Sequence, residues 1–160
     1  MSESAKIYPL IKKYLHGRIV DIGCGDQKIV PQAIGVDIRK TDPIDILMDS
    51  IDRVYDLYSI GTLRHADIVF ASHFLEHILS PEKFINECHL ILAESGKLIL
   101  YLPSAQHYDN RSNPEHFHSF EYEVFMRWFH ELYKDMFEII EHGPHYGDGC
   151  YSFYIVAMKK

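Results

Sequence analysis

The run Arg18 to Asp26, R-I-V-D-I-G-C-G-D, constrains this chain more than any other segment: a β-branched stretch ends on an acid and breaks at once into Gly23-Cys24-Gly25. A strand that stops in an acid and a glycine turn is how an open α/β sheet offers a ligand cradle at its carboxyl edge. The pattern partly repeats in Ala33-Ile34-Gly35-Val36-Asp37-Ile38, a second short strand with an acid near its end. Glycine amides from one parallel strand and a carboxylate from its neighbour can together hold a nucleoside.

The dinucleotide fingerprint G-x-G-x-x-G is not met. Its third glycine is Lys28 here, and Asp37 follows Gly23 by 14 residues where about 20 are usual. The whole run V-D-I-G-C-G-D followed by G-V-D-I instead resembles the first motif and ribose-binding acid of class I S-adenosylmethionine-dependent methyltransferases. Three later segments follow in the order of that family. Asp49 after Ile44-Asp45-Ile46-Leu47-Met48 resembles the acid beyond strand three. Asp67 to His77 resembles strand four and its cofactor-facing loop, and Leu90 to Leu100 the helix, turn and strand that lead into strand five. Gln27 stands where the family usually carries one more glycine.

The resemblance implies an α/β fold, a Rossmann-like doubly wound sheet of seven strands, mostly parallel with the last antiparallel, in the order 3-2-1-4-5-7-6. It also implies S-adenosyl-L-methionine as cofactor and a set of site residues. Asp21 with the turn Gly23, Cys24 and Gly25 would hold the methionyl part. Asp37 beside Ile38 would take the ribose hydroxyls, and Asp49 the adenine amino group with Met48 and Ser50 flanking the ring. Ser72, His73 and Phe74 would border the sulfonium. Taken singly, each of these acids can also be a turn or capping acid, Asp49 most simply as the cap of a short helix at 51–58.

At 160 residues and 47% hydrophobic, the chain suits one buried core, so 1–160 is read as a single domain. Pro31 breaks the interval between Gly25 and Gly35, and Thr41-Asp42-Pro43 follows the second strand closely. Both first crossover helices are therefore expected to be shortened or missing. The pattern further predicts a helix from Ile7 to Leu15 ended by Gly17, a strand Ala66 to Ser72, and a helix from Ser80-Pro81 to about Ala93. Leu98 to Leu102 is a strand stopped by Pro103. Ser119 is expected to cap a helix through Tyr133 with Val124, Phe125, Trp128, Phe129 and Leu132 on one face. Strands at Glu138 to Glu141 and Tyr151 to Met158 close the chain.

No apolar run nears the roughly 20 residues of a membrane span, and the first residues lack a signal-peptide pattern, so a cytoplasmic protein without a membrane partner is expected. Cys24, Cys88 and Cys150 are few, odd in number and far apart, which predicts neither disulfides nor a cysteine metal site. The net charge of −7 disfavours nucleic acid and leaves a small-molecule acceptor.

Eleven histidines are many. His73 faces the expected site. The segment Asn113 to Phe120 resembles a family segment that closes over the acceptor between strand five and the next helix, and its His116 or His118 would act as general base or simply order that loop. His73-Phe74-Leu75-Glu76-His77 also fits H-x-x-E-H, a zinc-hydrolase signature when it lies on a helix. Metal hydrolysis with Glu76 as base, aided by Glu115, His116 or His118, is thus one alternative reading, and a cofactor-binding subunit without catalysis another. In the methyltransferase reading no metal is used, and Glu76 and His77 bond neighbouring loops.

Overall fold

A computed structural model of the chain describes residues 2–40, 42–109 and 113–160. Its centre is a seven-stranded sheet in the order β3-β2-β1-β4-β5-β7-β6. The strands are β1 (Ile19–Ile22), β2 (Ile34–Asp37), β3 (Ile46–Leu47), β4 (Ala66–Ser72), β5 (Leu92–Pro103), β6 (Phe137–Gly147) and β7 (Cys150–Lys159). The first five run parallel, and β7 pairs antiparallel with both β5 and β6. This is the expected order and class.

Among the described residues three α-helices accompany the sheet: α1 (Glu3–Ile11), α2 (Pro81–Ile91) and α3 (Tyr122–Tyr133). Because side chains alternate along a strand, the sheet buries a different set on each face. Val20, Ile22, Val69 and Leu100 pack towards α2 and α3 through Phe84, Ile85, Phe125 and Phe129. Ile19, Ile68, Phe70 and Ile99 pack on the opposite face with Ile7 and Ile11 of α1. Ile29, Val30 and Ala33 join that second cluster from the segment between β1 and β2, which holds turns and no helix. An apolar loop thus covers the sheet where a crossover helix would lie. The link from β2 to β3 is equally short among its described residues; Thr41 lies outside them.

Several boundaries differ from expectation for local reasons. The first helix starts at Glu3, capped by the Ser2 hydroxyl, and passes into a 3₁₀ turn at Lys12–Tyr14. Residues 51–63 form three 3₁₀ turns instead of one short helix. Ser80 precedes α2, yet its hydroxyl makes no capping bond; its amide donates to the Tyr55 hydroxyl at 2.9 Å. That helix stops at Ile91 because Leu92 already pairs with Ala66, so β5 is far longer than Leu98 to Leu102. Ser119 does not cap α3, which begins after Glu121; Phe120 is still extended and bridges Ser104. The buried stripe of α3 is Phe125, Phe129 and Tyr133, spaced by four residues, while Val124 and Leu132 are exposed. The last two strands form one long hairpin through Gly147-Asp148-Gly149, with Gly143 and Pro144 inside β6.

No helix of the described residues is long and apolar enough to cross a membrane.

Candidate active site

A cavity of about 550 Å³ opens at the carboxyl ends of β1, β2 and β4, a size in the range of small-molecule sites. Gly23, Asp37, Ile38, Arg39 and Ile51 line one end, and His73, Phe74, His77, Pro114, Glu115 and Phe117 the other. Open α/β sheets bind ligands at such a position, outside the strand ends where the order reverses. Here the chain passes from β1 to β2 on one side and to β4 on the other.

The β1 turn is held from two sides. Asp21 is buried and its Oδ2 accepts from the Ile29 amide at 2.6 Å, tying the loop back under the turn. Burial pushes its carboxyl up to about 7, against the pull of that bond and of Lys28. Gly23 has φ +72, and a β-carbon there would lie 2.4 Å from Phe74 Cδ2. Only glycine allows both the left-handed bend and the contact with that ring. From β2, Asp37 Oδ2 accepts from the Gly25 amide at 2.8 Å. Its Oδ1 accepts from the Arg39 amide at 2.9 Å and lies 3.4 Å from Arg39 Nε. The Arg39 guanidinium also lies over Gly25, where a β-carbon would come within 2.8 Å of Nη2.

Beyond β4 the H-x-x-E-H string does not lie on an α-helix. His73 takes φ 49, its amide donates to the Tyr101 carbonyl, and Leu75–His77 is a single 3₁₀ turn. His73 and His77 therefore do not share the helix face that a hydrolase H-x-x-E-H site requires, which removes that reading. The His73 ring is hydrogen-bonded through Nε2 to Ser152 Oγ at 2.8 Å. Burial lowers its pKa to about 3, so it stays neutral. Glu76 is 1% exposed and neither side-chain oxygen has a hydrogen-bond partner; burial raises its carboxyl to about 8. The Glu76 carbonyl accepts from the Phe117 amide at 2.8 Å and the His118 amide at 3.4 Å. It is the backbone of Glu76, not its side chain, that pins the loop after β5 across the cavity. His77 Nδ1 adds a bond to the Glu115 carbonyl at 3.1 Å.

Of the residues named from sequence, Gly23, Asp37, Ile38, His73 and Phe74 line this cavity together. Cys24 is buried behind the turn, its thiol pushed up to about 12 by burial. Gly25 sits under Arg39. Met48 is buried, and its amide donates to the Asp37 carbonyl. Asp49 and Ser50 are exposed beyond β3, Asp49 lying 3.9 Å from Arg53 Nε. Ser72 ends β4 with its hydroxyl buried and unpartnered. His116 packs edge-on against His77 with ring centroids 4.5 Å apart, and burial lowers its pKa. His118 stacks on Phe120 with its Nε2 buried and unpartnered. Tyr101, His107, Tyr108 and Tyr146 lie outside the cavity lining, yet two of them back it: Tyr101 packs on His73 with its hydroxyl 3.0 Å from His145 Nδ1, and Tyr108 packs on His116 and stacks on Tyr151, while His107 meets Tyr146 at a tilt. Sequence reasoning missed Arg39 and Ile51 as wall residues, whereas Pro114 and Phe117 lie in the segment 113–120 that the resemblance sets over the acceptor.

Residues 5–139 match a family model described as a methyltransferase domain. No curated protein matches the chain in sequence. Among solved structures, a SAM-dependent methyltransferase from Archaeoglobus fulgidus superposes with a TM-score of 0.72 at 16% identity, covering 98% of this chain and 92% of the other. The N-methyltransferase NodS from Bradyrhizobium japonicum, in complex with S-adenosyl-L-homocysteine, gives 0.68 at 10% identity over 98% and 85%. The magnesium protoporphyrin IX methyltransferase from Synechocystis, with bound SAM, gives 0.63 at 17% identity over 98% and 77%. With the matched model spanning most of its length and the strand order, glycine turn and β2 acid all in place, the chain belongs to the methyltransferase domain family and is a class I S-adenosylmethionine-dependent enzyme.

Proposed function

We propose that residues 1–160 form one catalytic domain that transfers a methyl group from S-adenosylmethionine to a small-molecule acceptor. The observation that carries this reading is the single cavity running from Asp37 at the β2 end to the loop 113–118 over the β4 end. The cofactor supplies a methyl carbon already activated by a sulfonium. The protein has then to bind, orient and dry the site.

Asp37 is the ribose acid: its oxygens lie at the cavity and are aligned by the Gly25 and Arg39 amides. The turn 23–25 backs the methionyl part, and Asp21 behind it holds the turn in place through its bond to the Ile29 amide. Met48, Asp49 and Ser50 bound the adenine end. Ser72, His73 and Phe74 border the transferred methyl, where the neutral His73 adds no repelling charge. The loop from Asn113 to His118 excludes water, and His116 or His118 takes a proton from acceptors that need to lose one. A small acceptor suits the cavity volume and the net charge of −7, and the Synechocystis neighbour is itself described as acting on magnesium protoporphyrin IX.

Titration of the purified chain with S-adenosylhomocysteine tests the reading. Binding heat and a rise in Tm are expected, and Asp37→Ala should weaken binding by roughly 1.5–3 kcal/mol through lost charge-assisted bonds. Neither heat nor shift with the unaltered chain would overturn it.

A further inference from the structure

The geometry points to a divalent transition-metal site formed by Glu76, His77 and His116 at the acceptor end of the cavity. One ligand atom from each of the three lies within 4.8 Å of the others. Around a tetrahedral zinc ion with bonds of about 2.0 Å, neighbouring ligand atoms stand about 3.3 Å apart. Glu76 Oε1 and His77 Nε2 are already 4.0 Å apart. The closure still needed falls mainly on His116, which is carried by a loop and not by the sheet.

Two further observations favour a cation here. Both Glu76 oxygens are buried without a hydrogen-bond partner. Burying a carboxyl unpaired is costly, and an ion would satisfy both oxygens at once. The second is the orientation of His77. Its Nδ1 faces the Glu115 carbonyl at 3.1 Å, and a carbonyl only accepts, so Nδ1 carries the proton and Nε2 keeps its lone pair towards Glu76. An imidazole held by a backbone carbonyl through its other nitrogen is the usual support of a metal-ligating histidine.

Two imidazoles and one carboxylate suit zinc or cobalt(II) better than magnesium or calcium, which prefer all-oxygen sets. Three protein ligands leave a position for water or for an oxygen atom of the acceptor, and with the His116 lone pair on the ion the role of base in the proposed function passes to His118. His77 and Glu115 both line the cavity, so a bound ion would also tie the loop 113–118 to the turn after β4. The site differs from the one read in the H-x-x-E-H string, since His116 replaces His73 and no helix is involved.

The test is titration of the metal-free full chain with cobalt(II) chloride, read by visible absorption and calorimetry, followed by competition with zinc chloride. One equivalent is expected, with the visible bands of a four- or five-coordinate nitrogen and oxygen site, displaced by zinc. His116→Ala and Glu76→Gln should each weaken uptake at least 100-fold, whereas His130→Ala on the exposed side of α3 should leave it unchanged. His116→Ala sits on a loop and should keep its fold and its S-adenosylhomocysteine binding, so loss of metal and loss of cofactor are separable. No stoichiometric uptake by the unaltered chain, or uptake that His116→Ala and Glu76→Gln leave intact, overturns the site, while cobalt uptake without cofactor binding would instead sink the methyl-transfer reading.

Discussion

The two ends of the cavity each hold a buried acid, and the two acids are treated in opposite ways. Asp37 accepts two backbone amides and lies beside an arginine; Glu76, equally hidden from solvent, has no partner for either oxygen. At the first end the protein has built an aligned acceptor, the one that the proposed function sets against ribose hydroxyls. At the second it has placed an acid whose partner must come from outside, or whose proton must stay on. A preorganised end recognises a constant ligand, and an unsatisfied end waits for a variable one or for an ion.

The strongest way to break this contrast is at the β1 turn. Gly23→Ala forces a β-carbon onto Phe74 in a left-handed backbone, at a cost of roughly 2–4 kcal/mol. Urea denaturation should show a lower midpoint, together with loss of cofactor binding. A variant as stable as the parent would mean the turn is not the rigid element described.

Next in size is the pH dependence contributed by Asp21. Its folded pKa of about 7 stands above the ordinary value of 3.8, so across that window the unfolded chain releases the proton and the folded chain keeps it. Stability is therefore greatest below the ordinary value and falls as pH rises to about 7. Asp21→Asn retains an acceptor for Ile29 and removes the titration. Relative to it, the unaltered chain should lose about 2 kcal/mol between about pH 5 and 7, measured by denaturation at each pH. Parallel curves would show that Asp21 titrates normally.

The smallest effect sharpens the preorganised end. The Arg39 guanidinium is largely exposed and competes with ribose for Asp37, so Arg39→Ala should tighten S-adenosylhomocysteine binding up to about threefold, as befits an exposed ion pair. Weaker binding would make Arg39 a cofactor ligand instead.

Much of the parallel half was legible in sequence. The turn Gly23-Cys24-Gly25 and the acid Asp37 sit where local chemistry demands them, since few residue types allow a left-handed bend beside a strand. The boundaries of β4 followed from its apolar run, and the short links from β1 to β2 and, among the described residues, from β2 to β3 followed from Pro31 and from close spacing. The antiparallel half was less legible. β7 was read to within one residue at each end, but the full length of β6 depends on its pairing with β7, which alternation alone does not reveal. The face of α3 went partly astray because Val124 and Leu132 are as apolar as Phe125, and only the packing against Phe137 and Phe153 selects the stripe ending at Tyr133.

By itself, the amino-acid order determined the family, because that rests on short contiguous motifs with obligatory backbone geometry, and the sheet order came with the resemblance. Tertiary structure alone decided that His73 and His77 part company after β4, and that His77 meets His116 from a loop almost forty positions later. It also decided that Glu76 is left unpaired. Such contacts are set by where the sheet aims its loops and by what each buried polar atom finds there, and neither is written in any local stretch of the chain.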